Sequence, residues 1–225
     1  MPAPIAHNNL PIVVLASGEG TNLQAILDSC ANGTLPVTMK AVISDRSQAR
    51  ALTRARSAGV AAEICLPTGY ADREQYDAML IKLIDSYKPG LVVLAGFMRI
   101  LSDSFVQHFH ERLLNIHPSL LPKYRGLHTH RRVLKAGEQE HGCSVHFVTQ
   151  TLDGGPVVAQ IKVMVQPGDT EASLRMRVQR QEHRLYPEVI GWFARGRLQL
   201  DGEHMLLDGL RLQAPVMLPA LEHDA

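Results

Sequence analysis

The chain has 225 residues, 45% of them hydrophobic and 20% charged, with 23 Lys plus Arg against 22 Asp plus Glu. This length suits one domain with a full core, and the balanced charge offers no global basic field to attract nucleic acid. No apolar run reaches the roughly 18 residues of a membrane span. The three cysteines, Cys30, Cys65 and Cys143, are too scattered for a Cys-x-x-Cys zinc site and fit a reducing cytoplasm.

Residues 1–10, "MPAPIAHNNL", have neither a charged n-region nor a hydrophobic h-region and read as a loose leader. "PIVVLA" (11–16) is a short apolar run ending at "SGEGTN", a buried strand entering a turn. Leu23, Ile26, Leu27 and Cys30 then recur at helical spacing up to the stop "ANGTLP". "VTMKAVISD" is a second strand, "RALTRARSAG" a helix and "AAEICL" a third strand, with a longer helix over 70–87. "GLVVLAG" is a fourth strand, "FMRIL" leads into a short helix, and "RLLNIH" is a fifth strand. Beyond residue 128 come a helix, two strands ("CSVHFV" and "VVAQIKVMV") around a Gly-rich turn, and a long helix over about 170–192. Alternating strands and helices imply one α/β domain, its mostly parallel sheet covered by helices on both faces. Residues 197–225 read as a short hairpin and a frayed end, with 213–225 as a tail.

In open parallel sheets ligands bind beyond the carboxyl ends of the strands, where "SGEGTN", "GFMRIL" and "NIHPSLLP" all fall. Gly18 and Gly20 invite a dinucleotide reading, with Asp45 serving a ribose, but the third Gly of G-x-G-x-x-G is replaced by Leu23. There is no P-loop Lys either. What remains is a tight turn opening a helix, with Thr21 and Asn22 as side-chain donors, suited to a single phosphate monoester. A plain Gly turn with a Thr cap would look the same.

In "LLNIHPSLLP" (113–122) Asn115 and His117 lie two apart on a strand and so project from one face, and Pro118 ends the ladder. Asp153, in "TLDGGPVV", is a hairpin signal. Yet "VHFVTQTLDGG" is longer than a tight turn requires and can return the carboxylate to an imidazole. His128 and His130 in "GLHTH" lack a third ligand at a recognisable spacing and read as polar residues at a helix start. Leu174, Val178, Leu185, Val189 and Trp192 form the stripe of the last long helix, and Glu182 lies on it. A carboxylate on a buried face is paired or functional, unless the helix turns it to solvent at the stripe's edge. Arg73 and Arg99 are single basic residues near strand ends, natural clamps for a carboxylate-bearing ligand.

Together "VVLASGEGTNLQAI", "VVLAGFMRIL", "LLNIHPSLLPKYRGLHTHRRVL", "HGCSVHFV", "LDGGPV" and "QEHRLYP" resemble the folate-dependent phosphoribosylglycinamide formyltransferase family over residues 11–212. "SLLP" and the Asn-x-His…Asp set are similar across a wider formyl-folate superfamily, whereas "SGEGTNLQ" and "GLHTH" are more particular. The resemblance implies a Rossmann-like fold. It implies 10-formyltetrahydrofolate as co-substrate, no metal, and 5'-phosphoribosylglycinamide as the small-molecule acceptor, handled by a cytoplasmic monomer or homodimer. Gly20, Thr21 and Asn22 would hold the phosphate, and Glu182 would contact the ribonucleotide. Met98, Arg99, Ile100 and Leu101, with Thr149, Gln150, Thr151, Leu152 and Asp153, would enclose the folate's pterin. Asn115 would adjoin it, and Arg73 would meet the folate's glutamate carboxylate. Asn115, His117 and Asp153 would be the catalytic set, with Ser144 supporting the water structure around them. A hydrolase that passes the formyl group to water should lack the phosphate turn. A regulatory module on the same fold would have no use for an amide, an imidazole and a carboxylate at one edge.

Overall fold

The computed structural model describes residues 9–202 and 204–221. The first strand, β1 (Leu10–Leu15), is apolar at every position, as a strand covered on both faces must be. Ile12 and Val14 point into one apolar cluster and Val13 and Leu15 into another. Then follow α1 (Thr21–Ala31), β2 (Val37–Ser44), α2 (Arg50–Ser57), β3 (Ala61–Ile64), α3 (Arg73–Ser86), β4 (Leu91–Leu94), α4 (Asp103–His108) and β5 (Leu113–His117). After β5 come α5 (Thr129–Ala136), β6 (Glu140–Phe147), β7 (Val157–Met164) and α6 (Glu171–Ala194).

Among the described residues one sheet has eight strands in the order β11-β7-β6-β5-β4-β1-β2-β3, where β11 is Val216–Leu218. Strands β1 to β5 run parallel, while β6 is antiparallel to both β5 and β7. One core packs Leu23, Leu52, Val133 and Val178, from α1, α2, α5 and α6, against one face. The other packs Tyr76, Leu80 and Phe105, from α3 and α4, against the opposite face. This is the α/β architecture that the alternating pattern predicts.

The chain crosses from β1 to β2 on one side and returns to β4 on the other, so the strand order reverses between β1 and β4. Such a switch point opens a crevice at the strand ends. Ser17, Gly18, Gly96 and Met98 line it.

Two boundaries differ from the sequence reading. Leu10 already pairs with Val37, so the strand takes in the last leader residue, while residues 1–8 lie outside the described residues. The 213–225 tail is not wholly outside the fold, because Val216–Leu218 adds a parallel edge strand to β7. Three residues between Pro215 and Pro219 are too short for a readable period. The expected hairpin is present as β8 (Leu198–Asp201) and β9 (His204–Leu207), extended by β10 (Leu210–Arg211).

Candidate active site

The turn after β1 is held from below. Gly20 has φ 68, and a Cβ there would stand 2.8 Å from the Ala51 Cα, so the left-handed glycine also lets α2 pack underneath. Ala51 N donates to the Gly18 carbonyl at 3.1 Å, and Arg54 Nε donates to the Glu19 carbonyl at 2.8 Å. Gly20 caps α1 without a side-chain bond, which leaves first-turn N–H groups of the helix for a ligand.

Glu182 is buried on α6, with Leu174, Val178, Leu185, Val189 and Trp192 around the same core, as the stripe predicts. Its Oε2 accepts from Asn22 Nδ2 at 2.8 Å. Burial pushes the Glu182 carboxyl up to about 7, against the opposing pull of Asn22 and Arg175. Asn22 Oδ1 is buried and has no partner, so it awaits a donor. Gln179, one turn before Glu182, donates to Thr21 Oγ1 at 3.0 Å. Gly20, Thr21, Asn22, Gln179 and Glu182 all line one cavity of about 410 Å³. Sequence reasoning passed over Gln179, although its i, i+3 relation to Glu182 was a usable signal. Asp45 does not line this cavity.

Asn115 and His117 leave the end of β5 on one face, as their spacing requires. Asn115 pairs with His146, and His117 with Ser144, across the antiparallel β5–β6 ladder. His146 is buried, and its ring lies 2.9 Å through Nδ1 from the Phe147 carbonyl. A carbonyl only accepts, so Nδ1 carries the proton. Burial holds the His146 ring neutral down to about 4, leaving the Nε2 lone pair to accept from Asn115 Nδ2 at 3.0 Å. His146 therefore orients the Asn115 amide. The sequence reading placed it in a strand and gave it no role.

The same logic applies to His117, whose Nε2 lies 3.0 Å from the Tyr124 carbonyl and must donate to it. Its Nδ1 is the nitrogen left for chemistry, 3.5 Å from Asp153 Oδ2. The loop between β6 and β7 does bend back: Asp153, at φ 47, brings its carboxylate to His117 and accepts from Gly126 N at 2.8 Å. The expectation of a carboxylate partner for the imidazole is met.

The folate expectations divide. Arg99, Ile100, Leu101, Thr149, Gln150, Leu152 and Asp153 line a second cavity that Asn115 and His146 share. Met98 lines the first cavity instead, and Thr151 and Arg73 line neither. Arg73 opens α3 on the surface, 3.4 Å from Glu74. Arg99 lies 4.5 Å over the Tyr76 ring, and its buried Nε has no partner. Ser144, expected to support site water, is instead engaged by the protein itself. Its hydroxyl donates to the Ser119 carbonyl at 2.6 Å and accepts from Leu121 N and Gln160 Nε2. One donor and two acceptor positions are thereby used, so it clamps the loop after β5 and has no hydrogen bond left for site water.

His128 caps α5, and His130 meets His141 through Nδ1 and Nε2 at 3.0 Å. Burial lowers His130 to about 4 and His141 to about 3, in each case aided by neighbouring positive groups. A buried neutral histidine stabilises the fold above its unfolded pKa of about 6.5, and that stability is lost as pH falls below it. The melting temperature should therefore drop between about pH 6.5 and 4, while NMR shifts show both rings still neutral. Rings that titrate near 6.5 in the folded protein would refute this. Among the described residues no group of three or more His, Cys, Asp or Glu side chains is placed to hold a metal ion.

The formyl transferase family model matches residues 10–190. The chain is 57% identical over 201 residues to phosphoribosylglycinamide formyltransferase from Escherichia coli, covering 89% of this chain and 95% of that one. It is 43% identical to the Haemophilus influenzae protein of the same name, at the same coverage. A solved phosphoribosylglycinamide formyltransferase from Coxiella burnetii superposes with a TM-score of 0.90 at 49% identity, covering 93% of this chain and 99% of that one.

Proposed function

We propose that this chain, which belongs to the formyl transferase family, works along one continuous edge of its sheet, with the acceptor at the β1 turn and the donor beyond β4. It transfers the formyl group of 10-formyltetrahydrofolate to the amine of 5'-phosphoribosylglycinamide, giving formylglycinamide ribonucleotide and tetrahydrofolate in purine biosynthesis. The observation that carries the division of roles is that Asp153, which lines the second cavity together with Asn115, also lies 3.5 Å from His117.

The Gly20–Asn22 turn offers backbone N–H groups to the phosphate, and Glu182 with the unpartnered Asn22 Oδ1 meets the ribonucleotide's hydroxyls or amine. Exposed Ile100 and Leu152 give the second cavity an apolar rim suited to a flat pterin. Arg99, with its orphaned Nε, and Arg73 further out, suit the donor's carboxylates. Asn115 Nδ2 keeps one hydrogen beyond its bond to His146, and His117 Nδ1 can carry a second. Both aim at the oxygen that becomes negative as the amine adds to the formyl carbon. Asp153, 3.5 Å from His117 Nδ1, orients that ring and accepts the proton that must pass from the amine toward the departing nitrogen. No thiol nucleophile is needed, and burial raises Cys30 to about 11 and Cys143 well above the usual thiol range. The same reading puts the protein in the cytoplasm as a monomer or homodimer. No helix among the described residues is long and apolar enough to cross a membrane.

A formyl-transfer assay with and without glycinamide ribonucleotide tests the reaction. Formyl loss from the folate should require the ribonucleotide, and loss that proceeds equally without it would establish the hydrolase instead.

Glu182→Gln tests the acceptor side. Loss of a charge-assisted hydrogen bond should raise the KM for the ribonucleotide by an amount equivalent to about 1.5–3 kcal/mol. A carboxyl raised by burial weakens the unliganded fold as pH climbs from about 4.5 through 7, where the unfolded chain is ionised first. The variant should lack that decline and melt at or above the parent at pH 8. A lower melting temperature with an unchanged KM would make Glu182 structural.

A further inference from the structure

A phosphate monoester brings roughly 1.5–2 negative charges at pH 7, into a cavity that Glu19 and Glu182 also line. The turn answers with neutral groups only: backbone N–H, the Thr21 hydroxyl and the Asn22 amide. His130 lines the cavity as well, but burial keeps its ring neutral. Arg50 is held by Glu19 at 3.1 Å. Two further cations line the cavity, Arg46 just after β2 and Arg175 on α6. Neither guanidinium has a hydrogen bond or ion pair to a protein group among the described residues. Arg175 stands one turn before Gln179 and two before Glu182, on the face of α6 that meets the turn. Its field already reaches Glu182 and His130.

We propose that Arg46 and Arg175 are specificity-determining residues that close on the substrate's phosphate from two different elements. Their charge selects the phosphorylated acceptor over its dephosphorylated counterpart. This rests on the reading of Gly20–Asn22 as the phosphate turn. Both arginines are exposed, so neither is needed for the fold. Each also offers a planar donor pair that fits phosphate oxygens.

The test uses the intact enzyme with two acceptors, 5'-phosphoribosylglycinamide and the same molecule without its phosphate. Arg46→Gln and Arg175→Gln should each raise the ribonucleotide KM roughly three- to tenfold at low salt, and together more than tenfold. The increase should shrink as salt is added. The dephosphorylated acceptor, the folate KM and kcat at saturation should not move, and Arg175→Lys should recover part of the loss. Thr21→Val serves as the control on the turn. If it raises the ribonucleotide KM while the arginine variants do not, the charge clamp is wrong and the phosphate turn stands. If none of the three moves that KM, both are wrong. Equal loss for both acceptors would also overturn the proposal, since the arginines would then act on something other than phosphate.

Discussion

His117→Ala and Asn115→Ala should each lower kcat by about 10²–10³ or more, the usual result of losing one donor to a developing oxyanion. The two side chains are oriented by different supports. Asn115 is aimed by the neutral His146 ring, and His117 is turned by the Tyr124 carbonyl so that Nδ1 faces the site. Neither contributes to the apolar clusters, so the melting temperature should change little in comparison. The ribonucleotide KM should stay near its original value, because the contacts proposed for the acceptor lie at the β1 turn and α6. Single-turnover kinetics separate chemistry from binding. A variant that keeps near-full kcat would make that residue structural.

Asp153→Asn should cost kcat roughly 10²–10⁴, the range of a lost acid–base partner, with an unchanged melting temperature. The substitution is chosen for what it preserves. Asn tolerates the left-handed backbone at φ 47. Its amide oxygen can still accept from Gly126 N, where the carboxylate now accepts at 2.8 Å. What it removes is the negative charge 3.5 Å from His117 Nδ1. If Asp153 were only a turn residue, Asn would serve equally well. Retained activity in a folded variant would therefore remove Asp153 from the catalytic set, whereas a large fall in melting temperature would show that the charge stabilises the loop.

Much of this site is legible from local periodicity. Alternation along β5 places Asn115 and His117 on one face whatever the rest of the chain does. Helical spacing puts Glu182 on the buried stripe of α6, and the excess length before Asp153 hints that the loop returns. The Gly-rich turn after the first strand, where a helix starts, is the expected anion site, although a plain capped turn has the same local sequence. The resemblance to a known family adds the identity of the reaction and of both substrates, which no spacing rule contains.

Other features depend on partners far away in the chain. His146 acquires its role because β6 runs antiparallel to β5 and sets it opposite Asn115. Ser144 lies two residues earlier on the same strand, yet the folded loop at Ser119 and Leu121 takes up its hydroxyl. Gln179 and Arg175 matter because α6 packs beside α1, and Val216–Leu218 becomes a strand only because the edge of β7 is there to pair with it. The physical reason is the range of the signal. Side-chain period reports which way a residue points from its own element, over a few residues. Which groups then meet is decided by strand order, register and helix docking between distant stretches of chain, up to the 160 positions that separate Asn22 from Glu182.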